Sequence, residues 1–210
     1  MLDRFHLRSD GSRRPGDGFT VVEVVVALAV ITIVMGALTS FLVISGRVTA
    51  EEGNRQAAVQ VADDAMERVR ALQAGALLAG RDLASSTSQW NSPVTGVQGL
   101  LAPAVVTMAY DSLAANGAGP SAVLPTTYRA VTLNGIAYKQ HWYIGLCRRT
   151  DGGSAGCAAS AAGRSSRYYE IVVAVTWPGR SCSHRVCSLV TCTLVSALTD
   201  EPTFNTNPGP

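Results

Sequence analysis

From Val24 to Gly46 the chain runs for twenty-three residues without a charge, VVVALAVITIVMGALTSFLVISG. In a hydrocarbon environment such a stretch has one economical conformation, a helix, because its backbone groups must then find partners inside the segment. At about 1.5 Å per residue it spans roughly 35 Å, enough to cross a bilayer. Immediately before it, within GFTVVE (18–23), stands an acid, Glu23. An ionised side chain in the bilayer costs roughly 3 kcal/mol at the centre on insertion scales, and less near the edge. An acid in that place calls for a cationic partner.

The preceding residues, MLDRFHLRSDGSRRPGDG, carry Arg4, Arg8, Arg13 and Arg14 against Asp3, Asp10 and Asp17. A basic flank before an apolar span stays in the cytoplasm, and the chain beyond the span lies on the far side. A secretory signal is cut behind small residues after its apolar region. Here the apolar run exceeds signal-peptide length and continues into helix-compatible sequence, which predicts a retained membrane helix. The net charge of +2 gives no basic field for bulk nucleic-acid binding.

A short basic leader ending in Gly18, then Phe19-Thr20-x-x-Glu23, then an apolar helix, resembles the signal of type IV prepilins and type II secretion pseudopilins. The continuation NRQAAVQVADDAMERVRAL is similar to the helix of PilV-type minor pilins. The resemblance implies cleavage between Gly18 and Phe19 by a prepilin peptidase, which also methylates the new amine of Phe19. Glu23 matches the glutamate that the family uses in assembly. Asp17 stands where many members carry a basic residue, and the helix-breaking proline of major pilins is absent, with Gly36 and Ser40 nearest to its place. The implied partners are other pilin or pseudopilin subunits, the peptidase and methyltransferase, the membrane assembly platform and the lipid bilayer.

Cleavage would place an ammonium four residues, about 6 Å of helix, before Glu23. A carboxylate paired with it costs far less in hydrocarbon than one left alone. The amine could come from a neighbouring subunit, which sets axial register in a filament, or from the same chain.

Beyond Gly46 the spacing stays helical but turns amphipathic. Val59, Ala62, Met66, Val69 and Leu72 recur at three or four residues, with Glu51, Glu52, Arg55, Asp63, Asp64, Glu67, Arg68 and Arg70 on the other faces. A helix from Phe19 to Leu72 is expected, with Gly53 as a point of bending. LASSTSQWNSPVTG (83–96) reads as loop, and Trp90 within it as a plug against the core. From Thr126 the period becomes two. TTYRAVTL and IAYKQHWYIGL flank Asn134-Gly135, a two-residue hairpin signal. RYYEIVVAVTW and SLVTCTLVSA complete four antiparallel strands, and His141 is expected at the surface. The predicted fold class is α+β, a long N-terminal helix packed on a C-terminal four-stranded antiparallel sheet, the ladle of pilins. The expected divisions are a leader at 1–18, a membrane and assembly helix at 19–46 and its amphipathic continuation at 47–73. A connecting loop region at 74–125, a sheet domain with disulfide loops at 126–198 and a flexible tail at 199–210 complete it.

Five cysteines, all in the last third, suit an oxidising compartment. Cys147 with Cys157 and Cys182 with Cys187 each bracket a turn. Their pairing leaves Cys192 as a buried free thiol, and Cys182–Cys192 is the competing pair. Zinc at Cys182, His184, Cys187 and Cys192 fits no common spacing, so no metal and no cofactor are expected. No GxSxG, HExxH or phosphate-loop motif occurs, which predicts a non-enzymatic chain. Arg148, Arg149, Arg164 and Arg167 around one disulfide loop, with Arg180 and Arg185 around the other, would lie in neighbouring hairpin ends and could contact DNA phosphates.

The reading is therefore a minor pilin or pseudopilin. It would be held single-pass in the cytoplasmic membrane with its N-terminus inside, then built into a filament. The rivals are an unprocessed, membrane-anchored extracytoplasmic binding domain and a DNA-uptake pilin.

Overall fold

The computed structural model describes residues 20–150, 157–160 and 165–197. The leader, with Gly18 and Phe19, the tail, Arg164 and the centre of the first disulfide loop lie outside these residues. The chain divides into two compact units, Met1–Thr49 and Ala50–Pro210. A single helix, α1 (Val21–Arg70), contributes to both. It passes through Gly36 and Gly53 without interruption, so neither glycine ends it.

In the first unit every described side chain of α1 is exposed, and the helix is long and apolar enough to cross a membrane. Four of its hydroxyls are satisfied within the helix. Thr32 donates to the Leu28 carbonyl at 2.7 Å, Thr39 to Met35 at 2.8 Å, Ser40 to Gly36 at 3.1 Å and Thr49 to Ser45 at 3.0 Å. Such back-bonding lets polar residues sit in an apolar stretch without an unpaired donor.

The second unit is built on an antiparallel sheet. Its strands are β1 (Thr107–Met108), β2 (Arg129–Leu133), β3 (Ile136–Thr150), β4 (Ser165–Pro178) and β5 (Val186–Ser196). The order is β1-β3-β4-β5, and β2 shares the outer edge of β3 with β1. The sheet therefore has five strands rather than four, because the connecting region supplies the two-residue β1. Asn134 and Gly135 adopt left-handed φ of 53° and 76°, the conformation that a two-residue hairpin between β2 and β3 demands.

The amphipathic half of α1 covers one sheet face. Ala65, Met66 and Val69 pack with Trp142, Ile144, Ile171 and Val173, and Ala57, Ala58, Val61 and Ala62 with Tyr138, Val175 and Trp177. Tyr138 and Trp142 also donate to the carbonyls of Asn54 and Ala65, at 3.1 and 3.2 Å. Of the expected stripe, Ala62, Met66 and Val69 are buried and Leu72 packs against the core, and only Val59 falls outside it. Ala58, Ala62, Ala65 and Val69 form the centre of the buried stripe, while Val59, at the margin for about 100° per residue, is 43% exposed.

The opposite face is also covered. The connecting region folds over it as the helix α2 (Leu83–Asn91) and turns around Val97 and Leu101, which pack on Tyr143, Val172 and Ala174. LASSTSQWN is thus helix rather than loop: Asp82 caps it by accepting from the Ser85 amide at 3.0 Å. Half-buried Trp90 packs on this layer. A Cβ on Gly145 would meet Val106 and Trp90, so this close approach requires glycine.

Trp142 bridges α1 and the sheet. Trp142→Ala should cost about 3–5 kcal/mol, whereas Val59→Asp should stay within about 0.5 kcal/mol. Denaturant unfolding in detergent micelles measures both. A large loss at Val59 would contradict its exposed position.

Candidate processing and assembly site

Thr20 and Glu23 meet at the start of α1. The Glu23 amide donates to Thr20 Oγ1 at 3.3 Å and the Val24 amide to the Thr20 carbonyl at 3.2 Å, which makes Thr20 the N-cap. Thr-x-x-Glu is the sequence form of a capping box. An acid in the first turn also faces the positive end of the helix dipole. Thr20 to Glu23, part of the stretch that resembles a processing signal, therefore also start the helix, a signal legible in the sequence but obscured by the apolar run behind it.

The cysteines form two covalent clamps. Cys147 is joined to Cys157 and Cys182 to Cys187, with Cα separations of 5.4 and 5.0 Å. Of the four residues weighed for zinc, two are thus bonded to each other. Cys192 is free and exposed rather than buried. It lies on the outer strand β5, where the cover over this face reaches Val190 but not Cys192. Partial desolvation and the Glu170 carboxylate push its thiol above the ordinary value. Glu170 is itself buried beside the Cys147–Cys157 bridge, and desolvation raises its carboxyl.

The arginines do not gather. Consecutive antiparallel hairpins put alternate turns at opposite ends of a sheet. Arg148, Arg149 and Arg167 lie where β3 meets β4, with Arg148 directly opposite Arg167. Arg180 and Arg185 lie at the β4–β5 turn. From Arg167 to Pro178, where the β4–β5 turn begins, the strand runs roughly 36 Å at about 3.3 Å per residue. A single six-arginine surface is excluded.

Two polar groups that the sequence did not mark, Arg81 and Asp82, and one that it put at the surface, His141, are buried around α2. Arg81 fills the gap that β1 and β2 leave along the edge of β3. Its guanidinium donates to the carbonyls of Leu124 at 2.6 Å and Trp142 at 3.2 Å and to Gln89 Oε1 at 2.7 Å. Burial lowers its pKa to about 10, so it stays charged at neutral pH. Asp82 accepts from the amides of Ser85 and Gly119, which hold its carboxyl well below the usual range. His141 is buried, not at the surface, because the Thr126–Tyr128 segment and α2 lie over it. Desolvation lowers its pKa to about 4, against a backbone hydrogen bond with Thr127, and its Nε2 lies 3.4 Å from Thr176 Oγ1. The imidazole is thus held neutral within the packing between the sheet and the segment over it.

The folded state holds His141 neutral, so its contribution is present above the unfolded pKa of about 6.5 and is lost as pH falls toward 4. Glu170, with a raised pKa, acts in the opposite sense. The difference in stability between the wild type and His141→Gln isolates the histidine. It should shift against the wild type by up to about tenfold in the unfolding constant per pH unit between about 6.5 and 4. Parallel pH profiles for the two proteins would contradict the buried neutral imidazole.

No curated protein and no solved structure matches the chain. Residues 14–39 match the family described as the prokaryotic N-terminal methylation motif. This match takes in the end of the leader, the Thr20–Glu23 cap and the first half of the apolar run. The chain carries a type IV prepilin-like signal.

Proposed function

We propose that this chain is a structural minor pilin or pseudopilin of a type IV pilus or a type II secretion-like filament. A prepilin peptidase cuts between Gly18 and Phe19 and the amine of Phe19 is methylated. The subunit waits in the cytoplasmic membrane, N-terminus inside and sheet domain outside, and is then drawn into the filament by helix packing. It acts by assembly with other pilin-class subunits rather than by catalysis, and the likeness of NRQAAVQVADDAMERVRAL to PilV-type helices supports a minor-subunit role. The observation that carries this reading is the continuity of the methylation-motif match with α1, an apolar helix that starts one residue after Thr20.

The chemistry of the helix start gives Glu23 its role. Cleavage leaves an ammonium next to the N-cap, at the positive end of the dipole, where a cation is disfavoured. Glu23 in the first turn offsets it. When the pair forms between subunits, each neighbour's amine is satisfied only at one axial position, so the carboxylate acts as a register mark. Leader removal is a precondition, since only a free amine carries the charge.

Glu23→Ala tests the role. In cells with the cognate assembly machinery the variant should be processed and retained in the membrane at wild-type level. It should fall at least about tenfold in the sheared filament fraction, the cost of an unpaired ammonium in an apolar packing. Equal recovery of wild type and variant in filaments would remove Glu23 from assembly.

A further inference from the structure

The sheet face opposite α1 carries an open groove of about 600 Å³, within the range of small-molecule sites. One wall is α2, which presents Ser85 and Ser88 at i and i+3, with Ser92 just past its end. The facing wall is the Thr126–Tyr128 approach to β2, and His141 and Tyr143 form the floor. No Asp, Glu, Lys or Arg is among the described residues that line it.

Tyr128 stands in this groove 46% exposed. The Lys139 ammonium lies 4.5 Å from its ring centre and the His141 ring 5.8 Å away. Both contacts fix the orientation of the phenol, so little freedom remains to be lost when a ligand meets it. The lining chemistry narrows the ligand. The cations nearest the groove are already engaged, Lys139 on the Tyr128 ring and Arg81 on two carbonyls and Gln89, so a charged molecule would shed its hydration for little in return. A wholly apolar one would cover the hydroxyls of Ser88, Ser92 and Thr127 without replacing their hydrogen bonds with water. A neutral molecule with hydroxyls along its edges and C–H groups on its faces meets both demands.

We propose that this groove binds a neutral saccharide of about disaccharide size. Tyr128 is the platform for a sugar face, and Ser88, Ser92 and Thr127 bond the ring hydroxyls from two opposed walls. The site lies wholly within the sheet-bearing unit and is independent of leader processing and of Glu23.

The test uses the full chain in a zwitterionic detergent without a sugar headgroup. Saturation-transfer NMR is recorded with maltose, cellobiose and di-N-acetylchitobiose, which separate α-glucan, β-glucan and N-acetylated sources. Glucose 6-phosphate and tetra-alanine serve as charged and peptide controls. At least one neutral disaccharide should receive saturation and neither control should. Tyr128→Ala should weaken its Kd at least about tenfold, the worth of a good aromatic contact. Ser88→Phe, at an exposed position of α2, fills the groove without disturbing the core and should do the same at an unchanged melting temperature. Silence with all three disaccharides, equal transfer in both variants or preference for the peptide would each overturn the site.

Discussion

The backbone of an apolar span must satisfy its own hydrogen bonds, and the first unit follows from that demand. A continuous helix meets it, and back-bonded Thr32, Thr39, Ser40 and Thr49 meet it for their side chains as well. What the helix cannot satisfy internally are its first amides. Thr20 takes one of them, and Glu23 supplies the negative charge that the end of the dipole favours. Thr20 and Glu23 thus belong both to the prepilin-like signal and to the start of the helix.

In the second unit the constraint becomes burial on both sides of one sheet. Small residues of α1 (Ala57, Ala58, Ala62 and Ala65) let the helix backbone approach Tyr138 and Trp142 closely enough to accept from both. The other face is roofed by a segment rich in Gly, Ser and Pro that would not bury itself alone. Arg81 resolves the difficulty this creates. Where β1 and β2 leave the edge of β3 open, its guanidinium and the Gln89 amide reach the Trp142 carbonyl. A buried cation without a carboxylate is tolerated because backbone and amide oxygens accept from both of its terminal nitrogens, although its Nε has no partner.

Periodicity made the outline legible. The uncharged run, the Asn134-Gly135 turn and the alternation of Tyr169, Ile171, Val173, Val175 and Trp177 each reflect a local rule, and each stands in the structure. What escaped depends on contacts far apart in sequence. The helix over LASSTSQWN has poor intrinsic propensity and exists because Asp82 caps it and Gln89 docks on β3. His141 looked exposed because the roof above it could not be inferred from the alternation of β3. Cys192 looked buried because alternation assigns a face but not how far its cover extends. The arginine loops looked adjacent because nearness in sequence was taken for nearness in space, which antiparallel strand order reverses.

The central claim is that Phe19, not Met1, begins the working protein. Intact mass and N-terminal analysis of the protein from its native membrane test it most directly. The account predicts a chain that starts at Phe19 and is one methyl group heavier than its sequence. A chain that still starts at Met1 in cells with an active prepilin peptidase would contradict it, and Glu23 would then be an interfacial acid on a plain membrane anchor.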